Sequence, residues 1–197
     1  MAVQIGPTAP AEYFSQKIRP ILADWHRSVS PGPDQEMEAL ARRGLAWNPR
    51  HPDLYFAMAQ AQSAMGDLAT DPAAQAAYYR QAVESYQNAL RYAPGNVFIV
   101  ISCAVTLDSA QRFLEAEPLY QRAIALDPLG KAVHVPYGNH LVMMGKFDEA
   151  AAEFRFAADH WATQGALAGF RFIEEEKERL RKEAEGKAAS PEKPAEK

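Results

Sequence analysis

The sequence repeats itself at an interval of 34 residues, and this interval constrains the fold more than any other feature. The segments YQNALRYAPGN at 86–96 and YQRAIALDPLG at 120–130 place two tyrosines at equivalent positions. A repeat of this length is one supersecondary unit that buries its apolar side against its neighbours, so the chain is predicted to fold as a stack of such units. The interval continues into a third copy: Val100, Cys103, Ala104, Leu107, Ala116, Tyr120, Ala123 and Pro128 are followed 34 residues later by His134, Tyr137, Gly138, Leu141, Ala150, Phe154, Ala157 and Ala162.

The repeated positions resemble those of a known family. MMGKFDEAAAEF at 143–154 places Gly145 at a turn, followed by an alanine and a phenylalanine four residues apart. This spacing is similar to that of the tetratricopeptide repeat, W-x2-L-G-x2-Y, then A-x3-F, then P. The tryptophan position is held by Val100 and His134, and Ala162 replaces the final proline. The resemblance implies an all-α fold, an α-solenoid of helix-turn-helix repeats with a C-terminal capping helix.

One stretch, VFIVISCAV at 97–105, is rich in the β-branched residues that are typical of strands. It is too short to span a bilayer, so direct membrane insertion is not expected. The register makes it the first helix of the second repeat. Helical periodicity explains only part of its apolar character, which leaves apolar side chains for a second surface.

The first repeat begins near Pro52 and is 11 residues longer than the others. The extra residues lie within LATDPAAQAAYYR at 68–80, in which Asp71 and Pro72 form a good N-cap and first-turn pair. The second helix of this repeat is therefore predicted from about Pro72 to Arg91. Tyr78 and Tyr79 lie on the extension, where they either pack against the preceding helices or form a second contact patch.

The ends of the chain are less regular. Before the first repeat, SVSPGPD at 28–34 separates two helices, and Asp34 is predicted to cap the second. After the third, Leu167, Phe170 and Ile173 form the apolar stripe of a capping helix. The predicted boundaries are a flexible N-terminus at 1–11, a degenerate helical pair at 12–51, a first repeat with an extended second helix at 52–96, a second repeat at 97–130, a third at 131–164, the capping helix at 165–185 and a disordered tail at 186–197.

The family resemblance also implies a binding surface. In tetratricopeptide repeats the first helices of successive repeats line a concave groove. The residues that would occupy this groove here are largely apolar, so the expected partner segment is an apolar peptide or helix. The predicted partner-binding residues are Phe56, Phe98, Ile101, Val105, Val135, Asn139, Val142 and Met143.

Composition excludes several other functions. The net charge of −4 comes from interleaved acids and bases, so nucleic acid is not an expected partner. The one cysteine, Cys103, is predicted to be a small core residue. No secretory signal is visible, which favours a soluble, cytoplasmic protein. His134 and His140 are about 240 degrees apart on a helix and cannot share a metal from one face. Without a catalytic motif, cofactor motif or metal cluster, the chain is not expected to be an enzyme.

Two functions therefore remain. The first is a non-catalytic adaptor or assembly chaperone that holds an apolar segment of a partner protein in its groove. The alternative is a structural scaffold, in which the groove is filled by the N-terminal segment 1–30 or by another copy in a homo-oligomer. The sequence does not identify the partner.

Overall fold

The computed structural model describes residues 13–18, 32–161 and 164–188. Over these residues the backbone forms nine helices and no strand, so the predicted all-α class is confirmed. The helices are α1 over residues 13–18, α2 over Gly32–Trp47, α3 over Pro52–Leu68, α4 over Pro72–Tyr92, α5 over Val97–Ser109, α6 over Phe113–Leu126, α7 over Lys131–Met143, α8 over Phe147–Trp161 and α9 over Gln164–Ala188.

The chain divides into two compact units, Met1–Pro128 and Leu129–Lys197. In the first unit, helices α2 to α5 each pack on the next helix along the chain, and α3 also contacts α5. In the second unit, α7 packs on α8, and α9 packs on both of them. Packing between successive helices is the arrangement that the repeat pattern predicts.

Local signals in the sequence start the central helices. The Asp71 carboxylate accepts a 2.9 Å hydrogen bond from the Ala74 amide, and Pro72 is the first residue of α4. The extended helix predicted to end near Arg91 ends at Tyr92. Asn96 caps α5 in the same way, because its side-chain oxygen accepts hydrogen bonds from the first amides of that helix.

The turn that closes the first helix of the second repeat recurs one interval later in the third repeat. Gln111 and Gly145 both adopt positive φ, 58° and 73°. The Gln111 amide donates to the Asp108 carbonyl and the Arg112 amide to the Leu107 carbonyl, both at 2.8 Å. The third repeat has the same pair of bonds one interval later, and this Schellman geometry satisfies carbonyls that the helix end leaves open.

VFIVISCAV forms most of α5, as predicted, and this helix is buried on several sides. It packs against α3, α4 and α6, which explains why so few of its positions are polar. Four alanines of the repeat register are fully buried: Ala116, Ala123, Ala150 and Ala157.

The N-terminal helices α1 and α2 pack on α3, and α2 begins earlier than predicted. Phe14 and Ile18 of α1 are buried in a core with residues of α2 and α3. Asp34 was predicted to precede α2 as its cap, but the helix already begins at Gly32 and Asp34 lies in its first turn. Pro33 permits the earlier start, since its fixed φ suits the first turn of a helix. Phe14, Ile18 and Trp25 keep helical spacing in the sequence, and Trp25 lies outside the described residues.

The last helix is longer than expected. It runs to Ala188, three residues into the segment predicted as a disordered tail, and the rest of that segment lies outside the described residues. Its predicted stripe is only partly buried: Ile173 is fully buried, whereas Leu167 is 42% exposed. Ala166, the residue before Leu167, is buried in its place. Within the described residues, no helix combines the length and the apolar character needed to cross a membrane.

Candidate functional site

Four of the predicted partner-binding residues line one apolar cavity in the second unit. Val135, Asn139, Val142 and Met143 lie on α7, and the cavity that they share measures about 430 Å³. Their spacing of four, three and one residues places them along one side of the helix. Met143 is 49% exposed at the edge of the cavity, and Val135 and Val142 are half-buried. We call this cavity the apolar cleft.

Helix α9 supplies the opposite wall of the apolar cleft. The lining residues are Gly165, Ala168, Gly169 and Phe172, which again follow helical spacing. Phe154 of α8 contributes a nearly fully buried ring that contacts both walls. Phe172 is 48% exposed, so its ring is accessible at the rim.

Small residues make this geometry possible. A Cβ added at Gly169 would lie 2.6 Å from the Phe154 ring, and one added at Gly138 on α7 would lie 2.7 Å from it. A Cβ at Gly165 would lie 3.3 Å from the Val135 side chain. The two glycines of α9 therefore let that helix approach closely while the space between the larger side chains stays open.

The apolar cleft can bind apolar groups and little else. Among the described residues that line it, Asn139 is the one polar side chain, and it is exposed. An amide can donate and accept a hydrogen bond at once, which suits the backbone of a bound segment. A cavity of this size with one polar group is typical of sites that recognise apolar side chains.

The other four predicted residues lie in the first unit. Phe98 and Val105 of α5 are 62% and 41% exposed, and their spacing of seven places them on the same side of the helix. Phe56 of α3 is half-buried, with its ring 6.0 Å from that of Tyr86. Ile101 is a correction to the prediction: it is 6% exposed and belongs to the helix packing, so it is not accessible to a partner.

The cysteine of α5 and the two histidines of α7 are buried in the helical packing. Cys103 is buried, and burial raises the pKa of its thiol to about 12, so it stays protonated and unreactive. His134 is buried and bonded through Nδ1 to Glu153 at 2.7 Å. His140, in the last turn of α7, is fully buried. No group of three metal-ligating side chains occurs in the part of the chain that the structure describes.

Sequence reasoning misses the α9 wall of the apolar cleft. It assigns the segment GALAGF at 165–170 to packing through its large residues. The small residues carry the signal instead, because glycine and alanine at helical spacing indicate a close approach between helices. Phe172 falls between two members of the predicted packing stripe and is not part of that prediction.

Comparison with solved structures identifies the fold. The structure of TTC0263, a thermophilic tetratricopeptide-repeat protein of Thermus thermophilus, matches with a TM-score of 0.70 and 18% identity over 85% of this chain and 82% of that one. MamA from Desulfovibrio magneticus RS-1 matches with a TM-score of 0.68 and 15% identity over 89% of each chain. YrrB, which like TTC0263 is a tetratricopeptide-repeat protein, matches with a TM-score of 0.57 and 18% identity over 85% of each chain.

Sequence comparison adds nothing to this likeness. No model of a known protein family matches the chain, and no curated protein matches it in sequence. The structural similarity covers most of the chain, in agreement with the 34-residue register and the repeated turn geometry. The chain therefore has the tetratricopeptide-repeat fold.

Proposed function

We propose that this chain is a non-catalytic protein-interaction module, an adaptor or assembly chaperone, that binds an apolar helix or extended segment of another protein. The observation that carries the proposal is the apolar cleft between α7 and α9. Met143 and Phe172 leave about half of their side-chain surface exposed at its edge. Exposed apolar surface around a cavity marks an interaction site on a soluble domain.

The lining sets the chemistry of the partner. An amphipathic helix presents apolar side chains at three- and four-residue spacing, and a groove with apolar walls accepts them. Each side chain that is fully buried on binding contributes about 1.5 to 3 kcal/mol before ordering costs. Three or four such anchors reach micromolar affinity after the entropy of association is subtracted. Asn139 can then hydrogen-bond to the backbone of the bound segment.

The first unit offers a second apolar surface to the same class of partner. Phe98 and Val105 of α5 are both exposed on one side of that helix, and Phe56 of α3 is half-buried. The fold likeness to YrrB supports a binding role, since that protein is described as having an unusual peptide-binding site. A cytoplasmic location is part of the proposal, because the single buried thiol of Cys103 is suited to a reducing compartment.

A self-associating scaffold is the second candidate. Leu114 of α6 is 82% exposed, and an apolar side chain this accessible can meet a second copy. The described part of the N-terminal segment gives the scaffold less support, since Phe14 and Ile18 are buried in the core of α1 to α3. In the scaffold, a second copy is therefore the occupant that we favour.

Binding of designed peptides tests the proposal. Labelled amphipathic helical peptides, and scrambled peptides of the same composition, are titrated with the full chain and followed by fluorescence anisotropy. We expect Phe172→Gln to raise the Kd of the helical peptides about tenfold, because it removes one apolar contact. Leu114→Gln, at an exposed leucine outside the apolar cleft, is the matched control and should leave the Kd unchanged.

Two outcomes would contradict the adaptor. Equal binding of helical and scrambled peptides would show that the apolar cleft does not recognise an amphipathic helix. A stable oligomer in size-exclusion chromatography with light scattering, dissociated by Leu114→Gln, would favour the scaffold instead.

A further inference from the structure

A second cavity, of about 500 Å³, lies in the first unit between the start of α4 and the turn that joins α5 to α6. None of the predicted partner-binding residues lines it. Arg80 comes from α4, and Arg112 comes from the turn. We call it the arginine cavity, and its chemistry is the opposite of that in the apolar cleft.

The α4 wall exists because the first repeat is longer than the others. Asp71 and Pro72 start α4 early, and Gln75, Tyr79 and Arg80 line the cavity from the added turns. Tyr79 holds this wall in place, because its hydroxyl donates a 2.7 Å hydrogen bond to the Asp67 carboxylate. The wall is thus fixed before any ligand arrives.

The opposite wall contains a strained residue. Gln111 lines the cavity and has φ of 58°, a left-handed conformation that non-glycine residues rarely adopt. One repeat interval later the same position is Gly145, which adopts this conformation without strain. Backbone strain of this kind concentrates at functional sites, and here it keeps a side-chain amide at the cavity wall.

The charges of the lining select an anion. Arg80 and Arg112 contribute two guanidinium groups, and no carboxylate lines the cavity among the described residues, although the chain has a net charge of −4. The guanidinium group of Arg80 makes no hydrogen bond or ion pair with any residue that the structure describes. Arg112 donates from Nε and Nη2 to Glu115, both at 2.7 Å, which leaves its Nη1 group for a ligand.

We propose that the arginine cavity binds an acidic segment of another polypeptide. A guanidinium group pairs with a carboxylate through parallel hydrogen bonds, and Arg80 and Arg112 provide this contact. Ser109 and Gln111 add a hydroxyl and an amide group that match the peptide bonds on either side of an acidic residue, whereas the Gln75 amide nitrogen already donates to the Gly66 carbonyl at 3.3 Å. The site is independent of the apolar cleft, so the module contacts partners through two chemically distinct surfaces.

A binding assay with the full chain tests this assignment. The probe is a fluorescein-labelled peptide with alternating glutamate and alanine and an amidated C-terminus, and its matched control has glutamine in place of glutamate. We expect saturable binding of the acidic peptide only, weakening as salt is added. Arg80→Gln should raise its Kd roughly fivefold to tenfold.

Arg91→Gln is the control for net charge. Arg91 is an exposed residue of α4 that lies roughly 16 Å along the helix from Arg80, and its substitution removes the same charge. It should leave the Kd unchanged, as should Phe172→Gln in the apolar cleft. Circular dichroism melts confirm that each variant is folded.

Several results would overturn the assignment. Equal loss of binding in Arg80→Gln and Arg91→Gln would show unspecific attraction to the basic residues of α4. Displacement of the peptide by equimolar inorganic phosphate would make the cavity a general anion site. Absence of binding to the acidic peptide, with intact binding of helical peptides to the apolar cleft, would remove this site and leave the proposed function standing.

Discussion

The hydroxyl of Tyr120 donates a 2.8 Å hydrogen bond to the carboxylate of Asp108, and both residues are buried where α5 meets α6. The two residues are 12 positions apart. The same separation and the same chemistry occur in the first repeat, where Tyr79 donates to Asp67 at 2.7 Å. In each pair a tyrosine on the second helix is bonded to an aspartate near the end of the first.

Removing the Tyr120 hydroxyl should destabilise the fold. Tyr120→Phe leaves the buried Asp108 carboxylate with one donor fewer, which costs about 1 to 3 kcal/mol of the free energy of unfolding. Tyr55→Phe is the control, because that hydroxyl donates to the Pro49 carbonyl at an exposed site. Urea unfolding measures both variants, and equal losses would contradict this account.

Alkaline pH should weaken the fold through its buried tyrosines. Burial, followed by the hydrogen bond to Asp67, raises the pKa of Tyr79 to about 12. Burial also raises the pKa of Tyr86 and of Tyr120. An unfolded phenol ionises near pH 10, so the unfolded state releases its protons first. The stabilisation is fully present below pH 10 and declines as the pH rises towards 12.

Thermal melts at several alkaline pH values check this dependence. Tyr79→Phe removes one of the contributing groups, and the decline above pH 10 should then be shallower than in the wild type. An identical decline in both proteins would contradict the role assigned to Tyr79.

Gln111→Gly should stabilise the protein. A side chain in the left-handed region costs roughly 1 to 2 kcal/mol, and part of this gain is lost to the greater freedom of glycine in the unfolded chain. We expect a net gain of about 0.5 to 1 kcal/mol in urea unfolding. Gly145→Ala places a side chain in the same conformation one repeat later and should therefore lower the free energy of unfolding. If the free energy of unfolding changed in the same direction in both variants, the shared turn geometry would be contradicted.

The sequence predicted the central helices well because their signals are local. The 34-residue register, the Asp71 cap and Gly145 at its turn were each recognised from short stretches of sequence. Helical caps and turns depend on neighbouring residues, so they can be recognised without knowledge of the fold.

What the sequence did not predict depends on contacts between distant residues. Gly169 meets Phe154 across two helices, and His140 is buried by packing that its own helix does not determine. The sequence also does not determine which of several equally distant carboxylates an arginine pairs with. Glu175, Glu176 and Glu183 are all within reach of Arg179 on a helical surface, and Arg179 bonds to Glu176 and Glu183.

Gly138→Ala should destabilise the second unit. The added Cβ would lie 2.7 Å from the Phe154 ring, which is itself buried, so the ring cannot move away freely. Overpacking of this kind costs about 1 to 3 kcal/mol. Gly95→Ala is the matched control, because no atom lies within 4 Å of the Cβ that it adds. Equal melting temperatures for the two variants would contradict the close approach of α7 and α8.

The last prediction separates residues of the proposed binding surface from residues of the core. Met143 is 49% exposed at the edge of the apolar cleft, whereas Ile101 is 6% exposed. Met143→Lys should therefore keep the melting temperature of the wild type and raise the Kd of amphipathic helical peptides by about tenfold or more. Ile101→Asp buries an unpaired charge and should lower the melting temperature by many degrees.

Both variants need both measurements. A large fall in the melting temperature of Met143→Lys would show that Met143 supports the fold, and the apolar cleft would then be part of the core. An unchanged melt for Ile101→Asp would show that its side chain reaches solvent and could contact a partner after all. Lost peptide binding in Met143→Lys, at an unchanged melting temperature, is the result that the exposed position of this residue predicts.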